Sequence, residues 1–440
     1  MKKPELLSPA GDLTRLRYAV WYGADAVYVG GESFGMRSAP KNFTVEQLAE
    51  GAAFAHRYGR RVYLTLNTTP TNEEMARLPD YLRRVRETGV DAFIIADLGV
   101  LEFAKRFAPE IEVHLSTQAG IANYAAACAA FGLGAKRVVL ARELSLQDIA
   151  VIRDNTPDEL ELEAFVHGAM CMSVSGRCLL SHYLTGRSAN RGECTQPCRW
   201  KWHLSEKHRP GQQFDIGEDE DGSYILNAND LCAAPFLQLV AEAGVDSMKI
   251  EGRAKTFYYV ASTTAAYRRA LDAYLADPQN YACPEEVLEE LTRTSHRHYS
   301  TGFYFGRDGA VQDTRTGGYV REWEVTAVVE QWEDGVAQCS QRGKFTLGET
   351  LEALTPAGDV VTFTPEAIWD DAGCEIASTP HAEMAFSVPC DVPLPVHSIL
   401  RRRVAGADMG AETPKEAAES AGAEAAEAAA ASDTAVPTDG

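Results

Sequence analysis

Four of the chain's ten cysteines, Cys171, Cys178, Cys194 and Cys198, fall in one short stretch with the spacing C-x6-C-x15-C-x3-C. Three chemistries compete for them: a disulfide framework, a catalytic thiol, and a metal or cluster site. The opening residues, MKKPELLSPAG, carry two lysines but no apolar core before a cleavage site, so no signal peptide is expected. The cytoplasm is therefore the expected compartment, and structural disulfides are rare there. Thiolates suit zinc and iron–sulfur clusters alike. Neither pair has the tight CxxC knuckle common in zinc sites, and a cluster tolerates irregular spacing. A catalytic thiol needs a base; His167 and His182 flank the segment, but no spacing fixes a Cys–His pair. A role as small buried apolar residues is expected for Cys128, in AAACAAF, and for Cys339, Cys374 and Cys390. It accounts poorly for four cysteines in one Gly/Arg/Ser-rich segment. Cys232, in NANDLCAAP, is a fifth candidate ligand.

The same segment carries Arg177, Arg187, Arg191 and Arg199, which could offset cluster charge or bind anions. It continues into RWKWHLSEKHR, where Trp200 lies among basic residues. Single-stranded RNA is held by that combination of phosphate neutralisation and base stacking. A strand edge with exposed charges has the same composition. The formal net charge of −21 argues against bulk non-specific nucleic-acid binding but leaves room for a local basic groove.

Around these residues, short apolar runs alternate with helical patterns. The runs include ELLSPAG, DAVYVGG, RVYLTLN, DAFIIAD, IEVHLSTQ, KRVVLARE, LELEAFVHG, SYILNAND and DSMKIEG. Alternating β and α units imply a parallel sheet with helical cover, and roughly eight units in about 250 residues is the arithmetic of a TIM-barrel-like (β/α)8 domain. Nine candidate strands are one too many, so SYILNAND or DSMKIEG lies outside the barrel. A doubly wound sheet is the alternative, weakened because no GxGxxG follows the first strand. The expected domains are a barrel over 1–305 with a cysteine-rich insertion at 169–222, a small antiparallel β-barrel over 306–405, and a disordered Ala/Glu-rich tail over 406–440. An insertion of that length far exceeds an ordinary βα loop, and such loops are usually functional. No apolar run is long enough to span a membrane.

In a barrel of this kind, polar residues at the C-terminal ends of strands face the active site. Those ends carry Asn67, Asp97, Gln118, Arg142, Glu143, His167, Asn229 and Glu251. Together they suit a polar small-molecule pocket, although any one could simply cap the next helix. Neither HExxH nor GxSxG is present.

At ELEAFVHGAMCMSVSGRCLLSHYLTGRSANRGECTQPCRW the chain closely resembles the signature of the collagenase-like peptidase family U32. ELLSPAGDLTRLRYAVWYGADAVYVGG, the NAND-L-C segment and MKIEGR match the same pattern. The resemblance spans roughly residues 4–400 and implies a TIM-barrel-like catalytic domain. For members that hydroxylate without molecular oxygen it also implies a [4Fe–4S] cluster. One branch makes 5-hydroxyuridine at the tRNA wobble position with prephenate as hydroxyl source; others act on ubiquinone precursors or ribosomal RNA. Length and the C-terminal domain look most like the tRNA branch. By motif position, Cys171, Cys178 and Cys194 match cluster ligands, and the fourth falls at Cys198 or Cys232, with Cys198 preferred for its shorter separation. The resemblance and the strand-end positions together make His167, Glu251 and Arg253 the expected catalytic residues. Asn67, Gln118, Arg177, Arg191, Arg199 and Trp200 are the expected substrate-binding residues. A collagenase-like peptidase and a non-catalytic iron–sulfur or zinc RNA-binding protein are the alternatives.

Overall fold

The computed structural model describes residues 3–35, 42–170, 217–219, 222–224, 229–306 and 320–404. Seven strands come first: β1 (Glu5–Ala10), β2 (Ala26–Gly30), β3 (Arg61–Leu66), β4 (Ala92–Ile95), β5 (Glu112–Leu115), β6 (Arg137–Val139) and β7 (Glu161–Ala169). Between them run α1 (Leu13–Trp21), α2 (Val45–Arg57), α3 (Asn72–Val85), α4 (Leu98–Phe107), α5 (Tyr124–Gly132) and α6 (Leu146–Asp154). The chain then forms β8 (Gly217–Asp219), β9 (Gly222–Tyr224), β10 (Asp230–Cys232), α7 (Leu237–Glu242) and β11 (Ser247–Ile250). It continues through α8 (Phe257–Ala276), α9 (Glu285–Thr292) and β12 (Tyr299–Ser300).

β1 to β7 pair in parallel in chain order, and β11 pairs in parallel with both β7 and β1, closing an eight-stranded barrel. DSMKIEG supplies the last barrel strand. Of SYILNAND, residues 225–228 lie outside the described residues; Tyr224 ends β9 and Asp230 opens β10, which adds antiparallel to the upper end of β7, outside the ring. The strands read as continuous apolar runs because both faces are covered. Val27, Val29 and Leu64 pack in the outer layer with the helices. Leu7, Ala26, Tyr28, Tyr63, Ala92 and Ile94 make a separate apolar cluster.

The helices start where their sequences provide caps. Thr44 with Gln47, Thr71 with Glu74, and Ser145 with Asp148 form reciprocal capping boxes. Asp97, one of the strand-end polar residues, is such a cap: its carboxylate accepts from the N–H groups of Gly99 and Val100 at 2.8 and 3.1 Å. Before β11 the turn needs Gly244, whose φ is +88° and where a Cβ would lie 2.4 Å from Arg153 Cγ.

At the N-terminal ends of the strands a dense ion network is built. Glu163 has no solvent exposure and takes Lys249 Nζ at 2.8 Å and Arg137 Nη1 at 3.1 Å. Arg137 also bonds Glu5 and Glu161, both at 2.7 Å. Burial alone would raise the Glu163 carboxyl, but Lys249 and Arg137 outweigh it and hold the group down at about 2.

The C-terminal domain runs through β13 (Trp323–Glu333), β14 (Val336–Gln341), β15 (Leu351–Leu354), β16 (Val360–Phe363), β17 (Trp369–Asp370), β18 (Ala385–Pro389) and β19 (Ile399–Arg403). Its strand order is β16-β15-β19-β13-β14-β18-β17, antiparallel throughout. The expected antiparallel β domain is present; among the described residues no ladder joins β16 to β17. Cys339 and Cys390 are buried as expected, Cys128 is half-buried, and Cys374 is exposed, contrary to expectation.

The two domains share a core. Tyr18, Tyr22, Tyr258 and Ala261 pack with Val328, Leu354 and Ile399. Tyr22 donates to the carbonyls of Leu354 and His397. Fully buried Arg401 bonds both oxygens of Glu290, at 2.6 and 2.7 Å, and Tyr258 Oη at 3.1 Å.

Candidate active site at the barrel mouth

The C-terminal ends of the strands gather two polar groups. Arg253, just beyond β11, is the first. Its guanidinium donates to Thr65 Oγ1 of β3 at 3.1 Å and lies against Gly30 at the end of β2. A Cβ at position 30 would come within 2.1 Å of Arg253 Nη1, so the glycine is what admits the arginine. The second group centres on Arg142, which follows β6. It donates to the carbonyl of Ala169 at 2.6 Å and to Glu251 Oε2 at 3.2 Å. Its guanidinium also stacks on Phe165 at 3.8 Å. Tyr259 Oη donates to the Glu251 carbonyl at 2.9 Å. Asn67 and Gln118, at the ends of β3 and β5, are half-buried on the same face.

His167 lies elsewhere than the period of two along β7 implies. It is 1% exposed and packs against Tyr259 and Tyr267 of α8 and Tyr299 of β12, with ring centroids 5.3–6.1 Å away. Its Nδ1 is 3.3 Å from Tyr267 Oη. Burial, reinforced by His296 and Lys255, pushes its pKa down to about 3, so the ring is neutral at physiological pH. Local pairing accounts for the turn. The ladder to β11 shifts register beside it, β10 pairs across it, and Gly168 follows at φ +101°.

Cys232 sits opposite His167 in the β7–β10 ladder. A catalytic cysteine pair would have a lowered thiol and a charged imidazole. Here burial raises the Cys232 thiol to about 11 while the imidazole stays neutral. The pair therefore lacks the electrostatics of a nucleophile–base couple.

Cys171, Cys178, Cys194 and Cys198, with Arg177, Arg191, Arg199 and Trp200, lie outside the described residues. Among the described residues, no group of three or more His, Cys, Asp or Glu is placed to hold a metal ion. What is visible is where the cysteine segment attaches. β7 ends at Ala169, two residues before Cys171, at the mouth, and the chain re-enters the fold at β10.

Sequence reasoning missed Thr65 and Tyr259. Thr65 is one of a run of threonines with no distinguishing pattern, and Tyr259 reads simply as part of an apolar helix. Only the closure of the barrel brings Thr65 to Arg253, 188 positions away.

A closed (β/α)8 barrel with a polar mouth, a cysteine-rich insertion and an attached β domain defines an enzyme-like class of two-domain protein. The model of peptidase family U32 matches residues 11–314, and that of the family's C-terminal domain matches residues 321–401. The chain belongs to peptidase family U32. It is similar to tRNA hydroxylation protein P1 of Bacillus subtilis (strain 168), with 38% identity over 91% of this chain and 95% of the relative. To tRNA hydroxylation protein P of Escherichia coli (strain K12) the identity is 35%, over 92% of this chain and 98% of the relative. A 23S rRNA 5-hydroxycytidine synthase of the same E. coli strain is 40% identical over 70% of this chain and 46% of its own length.

Proposed function

We propose that this protein is an iron–sulfur-dependent RNA hydroxylase that converts a tRNA wobble uridine to 5-hydroxyuridine without molecular oxygen, with prephenate as hydroxyl source. The observation that carries the reading is likeness along nearly the whole chain to tRNA hydroxylation proteins, both domains included. The attachment of the cysteine segment at the barrel mouth supports it.

A [4Fe–4S] cluster is ordinarily held by four thiolates. Cys171, Cys178, Cys194 and Cys198 supply such a set, fitting the group by donor chemistry. When bound, the cluster would supply one-electron redox chemistry at the mouth. Arg253 is suited to a carboxylate of the co-substrate, because a guanidinium presents a planar fork of donors. Glu251, held by Arg142, offers a carboxylate beside it. The neutral His167 ring supports the strand end and leaves proton transfer to groups nearer the mouth. The arginines of the insertion and Trp200 would meet the RNA.

Cys232 is the competing fourth ligand. Its thiol is 3.9 Å from Tyr267 Oη and held protonated, so it would have to ionise to ligate. Anaerobically purified protein is expected to be brown, with absorbance near 400 nm and about four iron per chain. A colourless protein holding one zinc overturns the proposal. In a strain lacking the gene, wild type should restore 5-hydroxyuridine in tRNA and Cys178→Ala should not. Iron counts on Cys198→Ala and Cys232→Ala then identify the fourth ligand as whichever loss empties the site.

A further inference from the structure

Eight large apolar side chains among the described residues are exposed, and four of them lie on three successive helices of the barrel. Leu98, 62% exposed, opens α4; Tyr124, 47% exposed, opens α5; Leu133, 44% exposed, follows its end; and Val151, 47% exposed, lies within α6. The central helix is the unusual one. α5, YAAACAAFG, carries no charged residue although it lies on the outside of the barrel. Ala127 and Ala130 are its buried residues, while Ala125, Ala129 and Gly132, on the opposite side, are exposed. A helix that is apolar all round is normally covered on every side. Its neighbours flank it closely. Lys105 Nζ of α4 donates to the Leu133 carbonyl at 3.0 Å, and Cys128 Sγ donates to the Asn155 carbonyl, just past α6, at 3.3 Å.

Charge is divided across the same three helices. Lys105 and Arg106, both exposed, lie in the last turn of α4 and outweigh its single acid, Glu102. Asp154 ends α6 and Asp158 follows, both exposed. Among the described residues Lys105, Arg106, Asp154 and Asp158 form no ion pair within the chain. The face is therefore an uncharged apolar strip with a basic rim on one side and an acidic rim on the other.

A second copy of this chain fits such a face. With a formal net charge of −21, copies repel one another over most of their surface, and the uncharged strip is where that repulsion is weakest. A twofold axis parallel to the helices sets α5 on α5, and α4 of each copy opposite α6 of the other. Lys105 and Arg106 then meet Asp154 and Asp158 of the second copy. A twofold axis across the helices would set acidic rim on acidic rim, so charge selects the first arrangement. The acidic tail over 406–440 is the competing occupant. It follows β19, whose Ile399 packs with Tyr18 of α1 and Tyr258 of α8, and α5 stands opposite α1 in a ring of eight helices. Its acids would also face the acidic rim.

We propose that the α4–α6 face is the surface through which two copies of this chain form a reversible twofold dimer. Three helices about 14 Å long and roughly 10 Å apart offer on the order of 500 Å² from each copy. That is the low end of specific interfaces, so the dimer is concentration-dependent. Because the axis runs along the helices, both barrel mouths open on the same side of the dimer. The inference is independent of the chemistry at the mouth.

The test is analytical ultracentrifugation of the full-length protein over a hundredfold range of concentration. Wild type should pass from monomer to dimer within that range and go no further. Ala129→Arg puts a charge in the middle of the strip, at an exposed helical site, and should raise the dissociation constant about tenfold or more. Lys105→Glu alone and Asp154→Lys alone should each raise it about fivefold, and the two together should return it to within about twofold of wild type. That rescue requires α4 of one copy to face α6 of the other, and a merely structural role for either residue would not produce it. If Ala129→Arg fails to fold, the charge swap decides alone. Wild type that stays monomeric at every concentration overturns the inference. So does a dimer indifferent to Ala129→Arg, or a charge swap without rescue. A chain ending at residue 405 should dimerise as the full chain does. If only that shortened chain dimerises, the tail is the occupant in the full chain and the inference is overturned.

Discussion

The barrel has two charged centres, one at each end, made from the same residue types and put to different uses. At the N-terminal end, Glu163, Lys249 and Arg137 are 0–5% exposed, and their charges answer one another within 2.7–3.1 Å. At the mouth, Arg142 and Arg253 bond to a backbone carbonyl, a threonine hydroxyl and one partly exposed carboxylate. The first centre is a closed ion network that plugs the barrel. The second sits at the C-terminal strand ends, with Arg142 and Arg253 nearly buried there. Burial and ionic pairing alone therefore do not mark a functional site. Direction does, since only the mouth faces the strand ends from which the cysteine segment departs.

The largest effect that would break this contrast lies in the plug. Glu163→Gln leaves Lys249 and Arg137 short of a buried countercharge and should cost about 3–5 kcal/mol, read by urea unfolding. The wild-type carboxyl has a folded pKa of about 2, below its unfolded value of 4.5. Its contribution is full above pH 4.5 and is lost as pH falls toward 2, roughly 3 kcal/mol in all. The variant should show a flatter acid limb. If stability is unchanged at neutral pH, the plug is not structural.

Next comes Arg253→Ala at the mouth. A charge-assisted hydrogen bond contributes roughly 1.5–3 kcal/mol, so KM for an anionic co-substrate should rise about tenfold or more, with a smaller change in kcat. A fall in kcat at constant KM would move Arg253 from binding to the chemical step. The effect on melting should be well below that of Glu163→Gln.

His167→Gln is expected to cost about 1–2 kcal/mol through lost packing against the tyrosines. Activity per folded molecule should fall less than fivefold. Because the folded pKa is about 3, the wild-type ring adds stability above its unfolded value of 6.5 that is lost as pH falls toward 3. No step in the activity profile between pH 6 and 8 should disappear with the substitution. A lost limb in that range would return His167 to the role of a base.

The smallest effect is Tyr22→Phe, which removes two hydrogen bonds to the β domain and should cost about 1 kcal/mol. A larger loss, or limited proteolysis that now frees the β domain, would show that the shared core depends on this one hydroxyl.

Much of this could be read along the chain. The alternation of apolar runs with capped amphipathic helices identified the barrel, because each strand and its following helix are local in sequence. Thr44, Thr71 and Ser145 each stand one residue before their helix, with Gln47, Glu74 and Asp148 three positions further on, so the reciprocal caps form from near neighbours. Glu251 and Arg253 are legible as strand-end residues of a barrel, and both reach the mouth. The clustering of Cys171, Cys178, Cys194 and Cys198 is a property of the sequence and needs no fold to be seen.

Other features follow from contacts across long separations, which no local period encodes. Ring closure joins Glu5 to Ser247, and it is this pairing that makes DSMKIEG the eighth strand and leaves β10 outside. Alternation alone would point His167 into the lumen; the register shift against β11 and the left-handed Gly168 turn it toward α8 instead. Arg137 and Glu163 read as ordinary polar residues of short strands until the closed barrel removes them from water. Arg142 reads as a strand-end cap until Ala169 and Glu251, 27 and 109 positions away, meet its guanidinium. Sequence by itself determined the elements and the chemical inventory, since both depend on near neighbours. Tertiary structure decided which charges are sealed and which face the mouth, because burial and register are set only when distant strands meet.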